Sequence, residues 1–204
     1  MQRVCILDYG SGNVKSVYNL FSAVVENVVI SNAPADIEAA THIVLPGVGA
    51  FAAAMRRIHE TLPLDVLERV VRQQGKPFLG ICVGMQVLAD TGLEFGETPG
   101  LGWIGGQVRR LESGDFPLPH IGWNNIDAKR PSPLLEGLEH SPDFYYVHSF
   151  VFDAANPDEV LATTDYGQQF SGAIARGNIY GVQFHPEKSQ RAGMRLVKNF
   201  LAIQ

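Results

Sequence analysis

Residues 78–90 read FLGICVGMQVLAD: a short apolar run, a cysteine between two glycines, then an amphipathic segment with no break. A run of that length reads as a buried strand and residues 84–89 read as helical, so Cys82 falls at a strand-to-helix turn. Strand, sharp turn and helix make the geometry that lifts a nucleophile above the edge of a parallel sheet. On this reading Gly80 and Gly84 give the turn clearance. A helix starting near Val83 points backbone N–H groups and its positive end at the sulfur, which favours the thiolate. Free cysteine is also among the most buried residue types, so the same residue fits a small core hydrophobe.

The neighbouring segments repeat the pattern. Residues 4–7, 28–30, 42–45 and 78–81 are short apolar, β-branched runs, while 15–26, 51–59 and 64–74 are amphipathic. Strands alternating with helices predict a parallel sheet with helices on both faces, an α/β fold. From about Gly100 the texture changes to aromatic and β-branched strands at 106–111, 121–126, 145–152 and 169–176, separated by Gly, Pro and Asp turns, which predicts additional antiparallel strands. A strand at 179–184 and an amphipathic helix at 190–201 close the chain. No linker, repeat or low-complexity tract intervenes, so residues 1–204 are expected to form a single domain.

Composition narrows the function classes. The chain has 204 residues, 46% hydrophobic and 18% charged with 21 glycines, the profile of a compact soluble protein. A net charge of -5, with no basic cluster beyond pairs such as Arg109-Arg110, argues against a nucleic-acid partner. Cys5 and Cys82 lie in no CxxC or Cys/His spacing, so no disulfide framework, metal or cofactor is expected and the setting reads as reducing. The opening MQRVCILDYG has too short an apolar stretch for a signal peptide, and nowhere do 18 uncharged apolar residues run together. A cytoplasmic protein with no membrane segment is the expectation.

A thiolate nucleophile needs a base to carry its proton and a group to orient that base. Residues 181–189, GVQFHPEKS, supply both. Pro186 biases His185 towards extended backbone, and in extended chain residues two apart face the same way, which brings Glu187 to the imidazole. The glycine turn LPGVGAF at 45–51 lies between a strand and a helix, where backbone N–H groups of Gly47, Val48 and Gly49 meet a developing oxyanion. The N–H of Val83 is the second donor. Glycine peptides rotate at little cost, so this turn is expected to be misaligned without ligand. Gln86, inside the helix after Cys82, is placed to bond an amide substrate, the other reading being a solvated helix residue. Trp123 is either an exposed anchor or core, Tyr145 and Tyr146 alternate faces, and Lys188 sits at the mouth of the site. The turn DYGSGN at 8–13 lacks the third glycine of GxGxxG and any GK[ST], so it reads as a solvent-facing loop for a partner rather than a nucleotide site. His42, His59 and His140 read as ordinary surface or packing residues. A cysteine peptidase with a similar elbow satisfies the same residue chemistry.

The PGVGAF turn, the LGICVGMQ elbow and GVQFHPEKS together resemble the class I (triad) glutamine amidotransferases over the whole chain. Within that class DYGSGNVKSV, PHIGWN at 119–124 and YYVHSF at 145–150 resemble the glutaminase subunits of imidazole glycerol phosphate synthases. The resemblance implies a flavodoxin-like three-layer fold and hydrolysis of L-glutamine by Cys82, His185 and Glu187 through a glutamyl thioester. It implies ammonia passed to a separate (βα)8 cyclase subunit in a heterodimer of histidine biosynthesis. Gly47, Gly49, Gln86, His148 and Ser149 are implied around the glutamine, and Asn13, Trp123, Tyr145 and Lys188 near the cyclase. Position 83 is valine where leucine is common in the family, which leaves the backbone donor unchanged. Two other occupants of this scaffold are a glutaminase feeding another acceptor, against which PHIGWN and YYVHSF argue, and a catalytically silent binding subunit, against which the complete triad argues.

Overall fold

A computed structural model describes residues 2–138 and 142–204, so His140 lies outside the described residues. The first half runs β1 (Val4–Ile6), α1 (Val14–Ser22), β2 (Val28–Ile30), α2 (Pro34–Ala39), β3 (His42–Gly47), α3 (Phe51–Thr61), α4 (Leu64–Leu67), β4 (Phe78–Cys82) and α5 (Val83–Gln86). The second half holds β5 (Thr91–Gly92), β6 (Thr98–Pro99), β7 (Gly106–Arg110), β8 (His120–Asn125), β9 (Asp127–Ala128), β10 (Asp143–His148) and β11 (Phe150–Ala154). It ends with β12 (Val160–Asp165), β13 (Gln169–Arg176), β14 (Ile179–Val182) and α6 (Gln190–Ala202).

The main sheet has the order β2-β1-β3-β4-β14-β13-β12-β9. It is parallel from β2 to β14 and antiparallel beyond. Every residue of β1, β3, β4 and β14 is buried, which is why these strands read as continuous apolar runs rather than alternating ones. Both faces are therefore covered. The helices α1 and α6 meet through the edge-to-face pair Phe21–Phe200, 6.3 Å between centroids. The mixed α/β architecture, with antiparallel strands gathered in the C-terminal half, agrees with the expectation.

Four local departures bear on the site. Residues 64–74, expected as one amphipathic helix, form α4 and then a π-helical turn at Glu68–Gln73. The helix after Cys82 stops at Gln86 rather than Ala89, because the N–H groups of Leu88 and Ala89 bond three residues back, to Met85 O and Gln86 O, rather than four; the carbonyls of residues 87–89 then accept from the N–H groups of Leu101, Gly102, Trp103 and Ile104. Residues 145–152, expected as one strand, break at Ser149. β10 pairs with β8 in a two-stranded ribbon, and β11 pairs with β7 in another sheet. The segment at residues 8–13 is not a solvent loop throughout: Tyr9 and Ser11 are buried.

Candidate active site

Cys82 ends β4 with φ 55° and ψ -113°, backbone that an L residue adopts only under constraint and that costs about 1–3 kcal/mol. The constraint is crowding. A Cβ at Gly80 would stand 2.4 Å from the Gly84 carbonyl oxygen, and one at Gly84 would stand 1.8 Å from that of Leu45. The glycines thus let β3, β4 and α5 approach one another rather than simply clearing space for the sulfur. With α5 only four residues long, a macrodipole contributes little; the free N–H groups of its first turn remain.

His185 and Glu187 meet as expected, by a different geometry. Residues Pro186–Lys188 form a 3-10 turn with proline at its first position, not extended chain, and this turn carries the Glu187 carboxylate back to the ring. His185 Nδ1 lies 2.8 Å from Glu187 Oε1, both side chains being essentially sealed from solvent. Burial alone pulls the His185 pKa down, but the Cys82 sulfur and the Glu187 carboxylate outweigh it and push it up to about 10. For Glu187, burial pushes upward, while the bond and charge of His185 and the amide of Asn13 prevail and hold it below the ordinary carboxylate range.

Asn13, expected near a cyclase, has a contact within the triad as well. It sits at the start of α1, makes no side-chain cap there, and donates from Nδ2 to Glu187 Oε1 at 2.6 Å. Its amide meets the triad carboxylate while the residue itself stays only partly buried. The backbone of His185 is fastened as well. His185 N donates to Tyr145 O (2.8 Å), and Ser189 Oγ donates to His185 O (2.6 Å) and accepts from Tyr145 N (3.0 Å). Phe144 and Phe184 stack at 3.8 Å, adding about 1 kcal/mol beyond their burial and pinning β10 to the strand that delivers His185.

Cys82 and His185 line one cavity of about 290 Å³, together with Val48, Gly49, Val83 and Gln86. Its far wall is the corner at His148, Ser149 and Phe150, and Lys188 stands at its edge. Gly47 lies behind this surface, paired with Cys82 across β3 and β4. A Cβ there would meet Tyr9 Oη at 2.3 Å and Gly84 N at 2.7 Å. Gln86 is neither solvated nor free: its Nε2 donates to Phe150 O (3.0 Å) and Gln183 Oε1 (3.1 Å).

Three residues that sequence reasoning passed over belong here. Gln183 is fully buried and its Nε2 faces Cys82 Sγ at 3.7 Å, tying the sulfur to Gln86. Its spacing of two from His185 is the signal that was available. Glu94 is the single carboxylate lining the cavity among the described residues, held by the Phe51 N–H at the start of α3 (2.8 Å). No motif marks it. Tyr9 is buried against Gly47, its hydroxyl without a hydrogen-bond partner among the described residues.

Residues 5–203 match the family described as "Glutamine amidotransferase class-I". The chain is 46% identical over 202 residues to "Imidazole glycerol phosphate synthase subunit HisH" of Bdellovibrio bacteriovorus, covering 97% of this chain and 98% of the relative. It is 43% identical over 209 residues to the protein of the same description from Caulobacter vibrioides, covering 98% of each. Among solved structures it resembles "Crystal structure of glutamine amidotransferase", with a TM-score of 0.74 at 21% identity over 97% of this chain and 96% of that one. At that identity the likeness speaks to the fold.

Proposed function

The chain belongs to the class-I glutamine amidotransferase family, and we propose that it is the glutaminase subunit of an imidazole glycerol phosphate synthase, residues 1–204 working as a single amidotransferase unit. The observation that carries the reading is the strained Cys82 elbow facing, in one amino-acid-sized cavity, an imidazole bonded to a buried carboxylate.

In this reading Cys82 attacks the side-chain amide carbon of L-glutamine, forming the C–S bond. The His185 imidazolium gives its proton to the departing nitrogen, which leaves as ammonia and yields the glutamyl thioester. Water, losing a proton to His185, then attacks the thioester; the C–S bond breaks and glutamate departs. Glu187 holds the imidazole with Nδ1 towards itself, and Asn13 holds Glu187. Val83 N–H and the turn at Gly47, Val48 and Gly49 supply the oxyanion donors. Gln86, His148 and Ser149 shape the glutamine pocket, with Glu94 opposite the substrate's ammonium group.

Ammonia passes to a cyclase subunit that makes imidazole glycerol phosphate and aminoimidazole carboxamide ribotide for histidine biosynthesis. Trp123 is 49% exposed and packs edge-on against Tyr145 at 5.8 Å, and Lys188 Nζ lies 5.5 Å from the Tyr145 ring centre. These three form one patch beside the cavity and are the proposed cyclase-facing surface, Tyr146 being the buried member of the tyrosine pair. No helix among the described residues is long and apolar enough to cross a membrane, and a cytoplasmic site of action is proposed.

The test is glutamate release from glutamine by the isolated chain, then with a cyclase subunit and its ribonucleotide ligand. Weak activity alone and strong stimulation in the complex are expected; peptide cleavage, or no stimulation, overturns the reading. The pH profile tests the triad separately. The alkaline limb of kcat/KM follows loss of the His185 proton, near pH 10. Glu187→Gln removes a charge that raises His185, so the limb moves to lower pH by about a unit or more. An unmoved limb would show that Glu187 does not tune the imidazole.

A further inference from the structure

The strand β8 presents His120 on its buried side, and no step above uses it. His120 Nδ1 lies 3.0 Å from His148 Nε2, and His148 Nδ1 lies 3.0 Å from the carbonyl oxygen of Phe150. A carbonyl only accepts, so His148 carries its proton on Nδ1 and its Nε2 is an acceptor. His120 must then donate from Nδ1, which leaves its own Nε2 an acceptor. The Asn124 amide meets that requirement: Nδ2 faces His120 Nε2 at 3.4 Å and donates to Asp165 O at 2.9 Å, while Oδ1 accepts from Asn125 N. Every member has one permitted orientation, and the bonds run one way from Asn124 to Phe150.

Two consequences follow for the cavity wall. Both His148 nitrogens are engaged by the protein, so this histidine has none left for substrate or for proton transfer. The Phe150 carbonyl accepts from both His148 Nδ1 and Gln86 Nε2 (3.0 Å each), so the corner between β10 and β11 is tied at two points. His120 itself cannot turn: its ring is stacked between Tyr146 (4.9 Å) and Tyr166 (4.0 Å). Burial pushes the pKa of His120 down to about 4 and that of His148 down to about 3, which keeps both rings neutral at physiological pH.

We propose that His120 is a positioning residue for the glutamine site: by donating to His148 Nε2 it selects the Nδ1–H form of His148 and thereby holds the His148–Ser149–Phe150 corner against which glutamine is seated. The proposal rests on the glutaminase reading for its kinetic consequence, but its structural core does not.

Nitrogen NMR of histidine-labelled protein near neutral pH should report Nδ1–H for both rings, against the Nε2–H form that prevails in a solvent-exposed neutral histidine side chain. Finding Nε2–H on His148 overturns the proposal, whatever the activity. His120→Phe keeps a ring between the tyrosines and removes the donor; His120→Asn puts an amide donor close to the lost Nδ1. In the complex with the cyclase subunit, His120→Phe should raise the KM for glutamine about tenfold with kcat changed far less, the size expected for an orphaned buried acceptor. His120→Asn should recover most of that rise. Equal KM in wild type and His120→Phe, or kcat falling as far as KM rises, refutes it. If wild type fails to hydrolyse glutamine, the activity reading is what falls, and the nitrogen shifts still decide the tautomer. If His120→Phe does not fold, they decide it on wild type alone.

Discussion

Cys82→Ala removes glutamine hydrolysis by the isolated chain and by the complex alike, by a factor of about 10⁴ or more, the scale on which covalent triads lose turnover with their nucleophile. The loss should fall on kcat. The remaining cavity wall stays in place, so glutamine binding measured by calorimetry persists in the variant. The substitution leaves the fold intact because alanine inherits the same Cβ and the same constrained backbone; what is lost is a sulfur that interacts with His185 and makes long contacts to Val147 O (4.0 Å) and Gln183 (3.7 Å). Cys82→Ser behaves alike, since a hydroxyl beside His185 ionises far less readily than a thiol. Stimulated activity surviving in either variant would move the chemistry off Cys82 and leave the elbow's strain without purpose.

The strands β1, β3, β4 and β14 are legible because burial on both faces writes itself as uninterrupted apolar runs, while the edge strand Val28–Ile30 and the antiparallel strand Gln169–Arg176 match their expected bounds to the residue through their β-formers and flanking turns. What escaped notice had no local signature. Val160–Asp165 and Pro34–Ala39 are short elements whose order comes from their neighbours. The break at Ser149 lies inside a run of good β-formers and is imposed by the two different sheets that β10 and β11 join. In the site, the triad could be read because each member sits in a compact motif. Glu94 and Tyr9 reach the cavity region from loops that only the fold brings near. Nothing in DYGSGN reveals that the amide of Asn13 meets a carboxylate 174 residues along the chain. The clearance expected of the GxCxG glycines is present, and it is clearance for backbone: Gly80 makes room for the Gly84 carbonyl within the elbow, and Gly84 for the Leu45 carbonyl of β3.

That close approach predicts a large effect from the smallest possible change. Gly84 lies in α5 with ordinary helical backbone, so propensity alone makes Gly84→Ala stabilising by about 1 kcal/mol. Overlap opposes this, since the added methyl would stand 1.8 Å from the Leu45 carbonyl oxygen and 2.9 Å from its carbon. These are backbone atoms of β3, which pairs with β1 on one side and β4 on the other, so no side chain can swing aside. Either α5 lifts away from β3 or the central sheet distorts. Overpacking of a rigid core costs about 3 kcal/mol at the upper end of its usual range, well above the propensity gain. Net of the propensity gain the cost is about 2 kcal/mol, which in a chain of this size lowers the melting temperature by about 4–8 °C. Lifting α5 also displaces the Val83 N–H and Cys82 itself, so folded Gly84→Ala should lose about 10²-fold in kcat, the scale of a 1 Å misplacement of reacting groups. Gly75→Ala is the control: φ is +75° there but nothing lies within 4 Å, so only backbone strain is added and turnover should be untouched. A Gly84→Ala protein that melts with or above wild type would show that β3 and the elbow do not touch as closely as their glycines require.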